Sequence, residues 1–156
     1  MIAPVSGHVA VPNLIYRYAE LIDSGDFAGV GDLFADAVIE VQETGAVYAG
    51  REEVRSMYQE WVRIYPDNST PHTKHVTTNL MLAVDDEAGR ATCRSYVTIF
   101  QSTTVLPLQP ILSGRYHDTF VRADGEWRFE RRRMTNEYLG DLSQHLKQPF
   151  TSAINS

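Results

Sequence analysis

The chain has 156 residues, a length at which a single domain with a real core is expected over 1–156, the core running from about 10 to 147. Its apolar fraction of 43% and charged fraction of 22% are ordinary globular usage, which excludes a disordered or membrane class. A net charge of -6 argues against a nucleic-acid partner, because phosphate binding draws on clustered Lys and Arg. The one basic cluster, Arg131-Arg132-Arg133, would send its side chains to alternate faces of a strand and so cannot follow a phosphate track. Cys93 is the only cysteine, which rules out an internal disulfide and a cysteine-rich metal site. The first residues carry neither a basic segment nor a long apolar stretch, so a cytoplasmic address away from membranes is expected.

Pro12 and Asn13 precede Leu14, Tyr18, Leu21 and Ile22, whose spacing predicts a first helix that stops at Gly25. Asp26 can cap a short second helix through Phe34, and residues 37–41 have strand character up to a turn near Gly45. Val54, Met57, Tyr58, Trp61 and Ile64 predict a third helix over Arg51–Tyr65, stopped by Pro66. Four long strands follow, at about 73–84, 89–103, 111–123 and 126–135, separated by turn-forming segments such as Ala123-Asp124-Gly125. Short turns between successive strands imply an antiparallel, strongly bent sheet, and helices followed by a meander imply an α+β arrangement with the helices on one face. Leu139, Leu142 and Leu146 suggest a weak last helix before a polar tail, Thr151–Ser156, that frays or meets another subunit.

The segment Thr73-Lys74-His75-Val76-Thr77-Thr78-Asn79-Leu80 resembles the strand that carries the active histidine in SnoaL-like proteins of the nuclear transport factor 2-like superfamily. Tyr18 to Phe27, Gly114 to Phe120 and Asp124 to Phe129 continue the likeness over nearly the whole chain. The resemblance implies a cone-shaped α+β barrel, and homotrimers or homodimers as the usual assembly. It also implies roles by position. Asp23 and His75 match the base pair of scytalone dehydratase and of a dehydrochlorinase in this superfamily, and the bile-acid 7α-dehydratase looks similar at Tyr18, Asp23 and His75. Arg132 matches the dehydrochlorinase's arginine, and Tyr18 stands where that enzyme has a lysine. The second histidine of scytalone dehydratase has no counterpart in the strand at 89–103, where Thr98, Ile99 and Phe100 stand.

A histidine backed by a carboxylate is a good general base, because the carboxylate fixes the tautomer and stabilises the imidazolium. His75 is expected to be that base and Asp23 its orienting partner; the plainer readings are a satisfied sheet histidine and a solvated helix-end aspartate. Arg132 is the candidate for stabilising a developing anion. Strand parity counted from Trp127 and Phe129 leaves open whether Arg132, or Arg131 and Arg133, faces inward, and a bulge would change the answer. Tyr18 offers a proton donor suited to an oxygen-bearing substrate, or packs in the core with Leu14, Leu21 and Ile22. It stands five residues from Asp23, about 140° around a helix, so both reach one pocket only if the pocket is broad or the helix ends between them. Met57, Trp61, Tyr96, Phe100 and Tyr116 are candidates for the wall of an apolar chamber. His72 and His75 face opposite sides of a strand, so no metal site is assigned. The apolar loop Thr104–Pro110 is a candidate cover for the chamber or a subunit contact.

No phosphate loop, nucleophile elbow or dinucleotide fingerprint is present, and no cofactor is expected. The leading expectation is a cofactor-independent lyase or isomerase, dehydratase-like, acting on a small, apolar, cyclic substrate. The alternatives are a binding or accessory protein using the same cone without turnover, and a polyketide cyclase.

Overall fold

The computed structural model describes residues 3–150, so the tail expected at Thr151–Ser156 lies outside the described residues. The first helix, α1, spans Gly7–Asp23 and therefore begins before Pro12, not after it. The start is set by Ser6, whose hydroxyl accepts from the His8 amide, and by Asp86, 79 residues away from Gly7 in sequence, which accepts the Gly7 amide at 2.8 Å. Gly7 packs so closely on Val84 and Trp127 that an added Cβ would lie 2.6 and 2.8 Å from their side chains, which only glycine avoids. Pro12 withholds an amide only from the carbonyl of exposed His8, which water can satisfy. Gly25, at φ 75°, ends the helix, with the Asp26 amide bonded back to the Leu21 carbonyl at 2.9 Å.

Asp26 caps the second helix, α2 (Phe27–Leu33), by accepting the Gly29 amide at 2.8 Å. Two short strands follow, β1 (Val38–Val41) and β2 (Ala46–Ala49), the second without a forecast in the sequence, and then helix α3 (Gly50–Trp61). Helix α3 stops four residues short of Tyr65, because Val62 turns extended and bridges Leu146. The long strands are β3 (Thr73–Asp85), β4 (Arg90–Gln101), β5 (Gln109–Ala123) and β6 (Glu126–Leu139). Tyr138 and Leu139 thus extend the sheet, and the weak last helix is replaced by a turn in which the His145 and Leu146 amides both bond to the Leu142 carbonyl.

The sheet runs β2-β1-β6-β5-β4-β3, antiparallel except where β1 lies parallel to β6. It curls without closing. Register shifts at Thr78/Met81, Ile99/Phe100, Ser113/Gly114 and Thr119/Phe120 each add local bend and twist. The helices cover the concave face, and Phe34, Phe120 and Phe129 pack together in the core, with Phe34 stacked on Phe129 at 4.6 Å between centroids. Beyond Tyr18, which meets Phe34 edge-on, the curl leaves a chamber. Among the described residues no helix is long and apolar enough to cross a membrane.

Candidate functional site

The chamber, partly open to solvent, has a volume of about 140 Å³ between α1, α3, the concave sheet face and the segment after β6. Its wall is chiefly apolar, with Ile22, Met57, Trp61, Val97, Ile99 and Leu112 among the lining side chains. Tyr18, Tyr58, Tyr116, His75, His145 and Asn136 bring polar atoms to it, and no Lys, Arg, Asp or Glu lines it among the described residues. The volume is close to that of engineered apolar cavities of roughly 150 Å³ that take up benzene, so it suits about one ring.

Strand β3 delivers His75 to the chamber wall, and the end of α1 delivers Asp23 behind it. The His75 ring donates from Nδ1 to Asp23 Oδ1 at 2.6 Å, and the two side chains are only 6% and 11% exposed. The Asp23 carboxylate also accepts the His75 amide at 2.8 Å and the Thr73 hydroxyl at 2.8 Å. A carboxylate at a helix C-terminus faces the negative end of the helix dipole, and these donors offset that cost. Burial pushes the Asp23 carboxyl up, but the hydrogen bonds and charge of His75, with Thr73, outweigh burial and hold it below the usual carboxylate range. With Nδ1 committed to Asp23, Nε2 is the His75 nitrogen left for the chamber. Tyr18 lines the chamber directly, whereas Asp23 acts on it only through His75, so the helix does not have to aim both at one point.

Tyr18 stands edge-on to the His75 ring at 6.5 Å and edge-on to Tyr116 at 6.0 Å, and its hydroxyl shares a short hydrogen bond with that of Tyr58. Burial pushes all three tyrosine hydroxyls up, so they stay protonated as donors. The sequence stripe of α3 showed Tyr58 as a core residue, and nothing local marked its hydroxyl as part of a cluster.

Arg132 is fully buried but does not line the chamber. A bulge in β6 opposite Thr119/Phe120 puts Arg132 on the same face as Phe129, and Arg131 and Arg133 point outward, exposed. Its guanidinium lies over the rings of Tyr116 at 3.8 Å and Tyr18 at 4.3 Å. It donates from Nε and Nη2 to both oxygens of buried Asp118, at 2.8 and 2.7 Å. Burial opposes its charge and Asp118 restores it, with the net direction upward.

Met57, Trp61 and Tyr116 stand on the chamber wall. Tyr96 and Phe100 do not: β4 alternates, so Val97 and Ile99 face inward, and Tyr96, 51% exposed, stands with Phe100 on the outer face. In the loop after β4, Leu106 turns into the core while Val105 and Leu108 are exposed. Among the described residues no three His, Cys, Asp or Glu gather to hold a metal ion.

Sequence reasoning missed His145. It follows β6 in the turn at Leu142, is 4% exposed and lines the chamber, and its Nδ1 is buried with no hydrogen-bond partner among the described residues.

Residues 5–133 match the SnoaL-like domain family. The chain belongs to that family. It is similar in structure to a protein of unknown function from Mycobacterium tuberculosis, with 28% identity over 85% of this chain and 72% of that one and a TM-score of 0.68. An NTF2-like protein with a cystatin-like fold from Novosphingobium aromaticivorans shares 22% identity over 81% and 79% of the two chains, with a TM-score of 0.67. A second protein of that organism, provisionally named a scytalone dehydratase, shares 23% identity over 85% of each chain, with a TM-score of 0.65. The last two likenesses establish the cone fold of the SnoaL-like chain, and no curated protein matches the sequence.

Proposed function

We propose that this SnoaL-like protein is a dehydratase-like lyase or isomerase that takes a carbon-bound proton from a small, apolar, cyclic substrate. The observation that carries the reading is the buried His75–Asp23 contact of 2.6 Å at the wall of a ring-sized chamber. On a cyclic β-hydroxyketone, His75 Nε2 takes the proton next to the carbonyl, and the released electron pair moves onto the carbonyl oxygen. A tyrosine hydroxyl of the Tyr18, Tyr58 and Tyr116 cluster donates to that oxygen. The carbonyl then reforms, the β C–O bond breaks, and the proton on His75 leaves with the hydroxyl as water. Asp23 remains a carboxylate throughout and stabilises the imidazolium between the two transfers. Every proton and electron pair is accounted for by the substrate and the chain's own side chains. Arg132 is a positioning residue in this scheme, fixing the rings of Tyr18 and Tyr116.

The test is to incubate cyclohexanone and 3-hydroxycyclohexanone with the protein in heavy water, following loss of the α C–H signal and appearance of the enone. The expected result is exchange or elimination above the buffer rate that His75→Ala abolishes. Exchange equal in the two proteins, or none with either ketone, defeats the general-base reading and leaves a binding protein.

A further inference from the structure

We propose that the imidazole of His145 is a second hydrogen-bonding group of the chamber, beside the tyrosine cluster, for a ring oxygen of an uncharged substrate. The proposal rests on the reading above only in taking the same chamber as the substrate site.

The residue is built into its position from outside. The Gln144 carbonyl accepts from Gln101 Nε2 at 3.0 Å and from the Tyr65 hydroxyl, and the His145 carbonyl accepts the Arg63 amide at 2.9 Å. The Leu146 carbonyl accepts Arg63 Nε at 2.9 Å, and the Lys147 amide donates to the Trp61 carbonyl at 2.9 Å. The strap after β6 is therefore tied, residue by residue, to the end of α3 and to buried Gln101. Yet neither ring nitrogen of the imidazole that this strap presents has a hydrogen-bond partner among the described residues: Nδ1 is closed off from solvent, and Nε2 is the nitrogen left to the chamber. A polar atom that loses water without gaining a partner costs about 1–3 kcal/mol, so an imidazole held this firmly at the wall favours a ligand that pairs with Nε2.

The ring is neutral. Burial and the charge of His75 push its pKa down to about 3, against a smaller opposing pull from Asp23. A neutral imidazole offers one N–H and one lone pair, which suits a hydroxyl or a carbonyl and gives a carboxylate or phosphate no counter-charge. No Lys or Arg lines the chamber among the described residues, any charge on His75 is matched by Asp23, and Arg132, buried outside the lining, is bonded to Asp118. Burying an unpaired anion there would be prohibitive. The substrate class is thus a neutral ring ketone or ring alcohol of about one ring.

Three probes of similar size separate the terms: phenol, toluene and benzoate. With histidine-nitrogen-labelled full-length protein at pH 7, the His145 nitrogen signals should show the neutral pattern and move saturably with phenol. His145→Phe should weaken phenol about tenfold, the worth of one net hydrogen bond, and leave toluene within about twofold; His145→Gln should recover part of the loss. Benzoate should not compete. Phenol binding that leaves the His145 signals unmoved, equal weakening of phenol and toluene, benzoate bound as tightly as phenol, or no saturable binding of phenol would each overturn the proposal. If the phenylalanine variant does not fold, the nitrogen spectra of the unaltered protein decide. A failed His75→Ala exchange test with an intact phenol response removes the catalytic reading alone, and the converse result removes the role of His145 alone.

Discussion

Two buried acid-base pairs flank the ring of Tyr18, and they are built for different ends. Asp118 and Arg132 meet two oxygens to two nitrogens, both side chains wholly buried, and the guanidinium lies against the rings of Tyr18 and Tyr116 without lining the chamber. Asp23 and His75 meet through one ring nitrogen, and the other nitrogen is left over at the chamber wall. Burial and charge are common to the two pairs, so neither marks the site. What differs is where the leftover capacity lies: Arg132 Nη1 is buried outside the chamber lining without a hydrogen-bond partner among the described residues, whereas the second nitrogen of His75 is left at the chamber wall.

The sharpest way to break the comparison is to remove one partner of the closed pair. Asp118→Ala leaves a guanidinium buried among aromatic rings without its carboxylate, and about 3–5 kcal/mol of stability should be lost in denaturant unfolding. Replacing both residues with apolar ones of similar volume should restore most of it, since the desolvation cost disappears with the charges. A double variant as unstable as the single one would show that Arg132 does more than pair, through its contacts with the tyrosines.

The same exercise on the open pair should touch rate before stability. Asp23→Asn keeps hydrogen-bonding atoms near Thr73 and the His75 amide but loses the charge that stabilises the imidazolium, so about 10²-fold or more of the exchange rate should go. The measurement is α-proton exchange in heavy water beside a melting curve. A variant that melts early and exchanges normally would make Asp23 a structural capping residue.

This contrast was only partly legible in the sequence. The long strands, the caps at Asp26 and Gly25 and the stripe of α3 are local patterns, and the family likeness extended them to the cone. Asp23 and His75 came from that likeness, not from spacing. The side that Arg132 takes depends on a single bulge in β6, and a parity count from Phe129 cannot see it. The start of α1 depends on Asp86, a partner 79 residues from Gly7, which is why Pro12 looked like the boundary. Tyr96 and Phe100 were picked as aromatics, while strand alternation gives the inner positions to Val97 and Ile99. His145 was out of reach because its position is set by bonds to Trp61, Arg63, Tyr65 and Gln101 through its neighbours, with no periodicity of its own.

His145 adds a pH dependence that distinguishes the open side of the chamber from the closed pair. Its folded pKa is depressed to about 3, below the roughly 6.5 of an unfolded histidine, so the unfolded chain takes up a proton that the native chain refuses. The stability it contributes is complete above pH 6.5 and is lost as the pH falls toward 3, at up to about 1.4 kcal/mol per pH unit. Asp23, also depressed, contributes in the same direction but only below the ordinary carboxylate range. Unfolding midpoints between pH 7 and pH 4.5 should therefore decline in the native sequence and decline less steeply in His145→Phe, where His117, also held down by burial and neighbouring arginines, keeps part of the slope. An unchanged slope would mean that the ring is already protonated or reaches water.

The smallest effect is expected where neither burial nor a chamber is involved, at the exposed pair of Arg90 and Glu130. The two meet at 2.8 Å on the outer face with side chains 61% and 43% exposed, the contact distance of the buried pairs without their surroundings. High dielectric and the entropy of two long side chains reduce such a pair to between about 0 and 1 kcal/mol. A double-mutant cycle with Arg90→Ala and Glu130→Ala should return a coupling in that range, shrinking further in salt. Glu130 is also the extra residue of the bulge that turns Arg132 inward, so its single variant carries a second question. If Glu130→Ala costs well beyond the measured coupling, the excess belongs to the bulge, and the outer face then helps to decide which arginine the tyrosines receive.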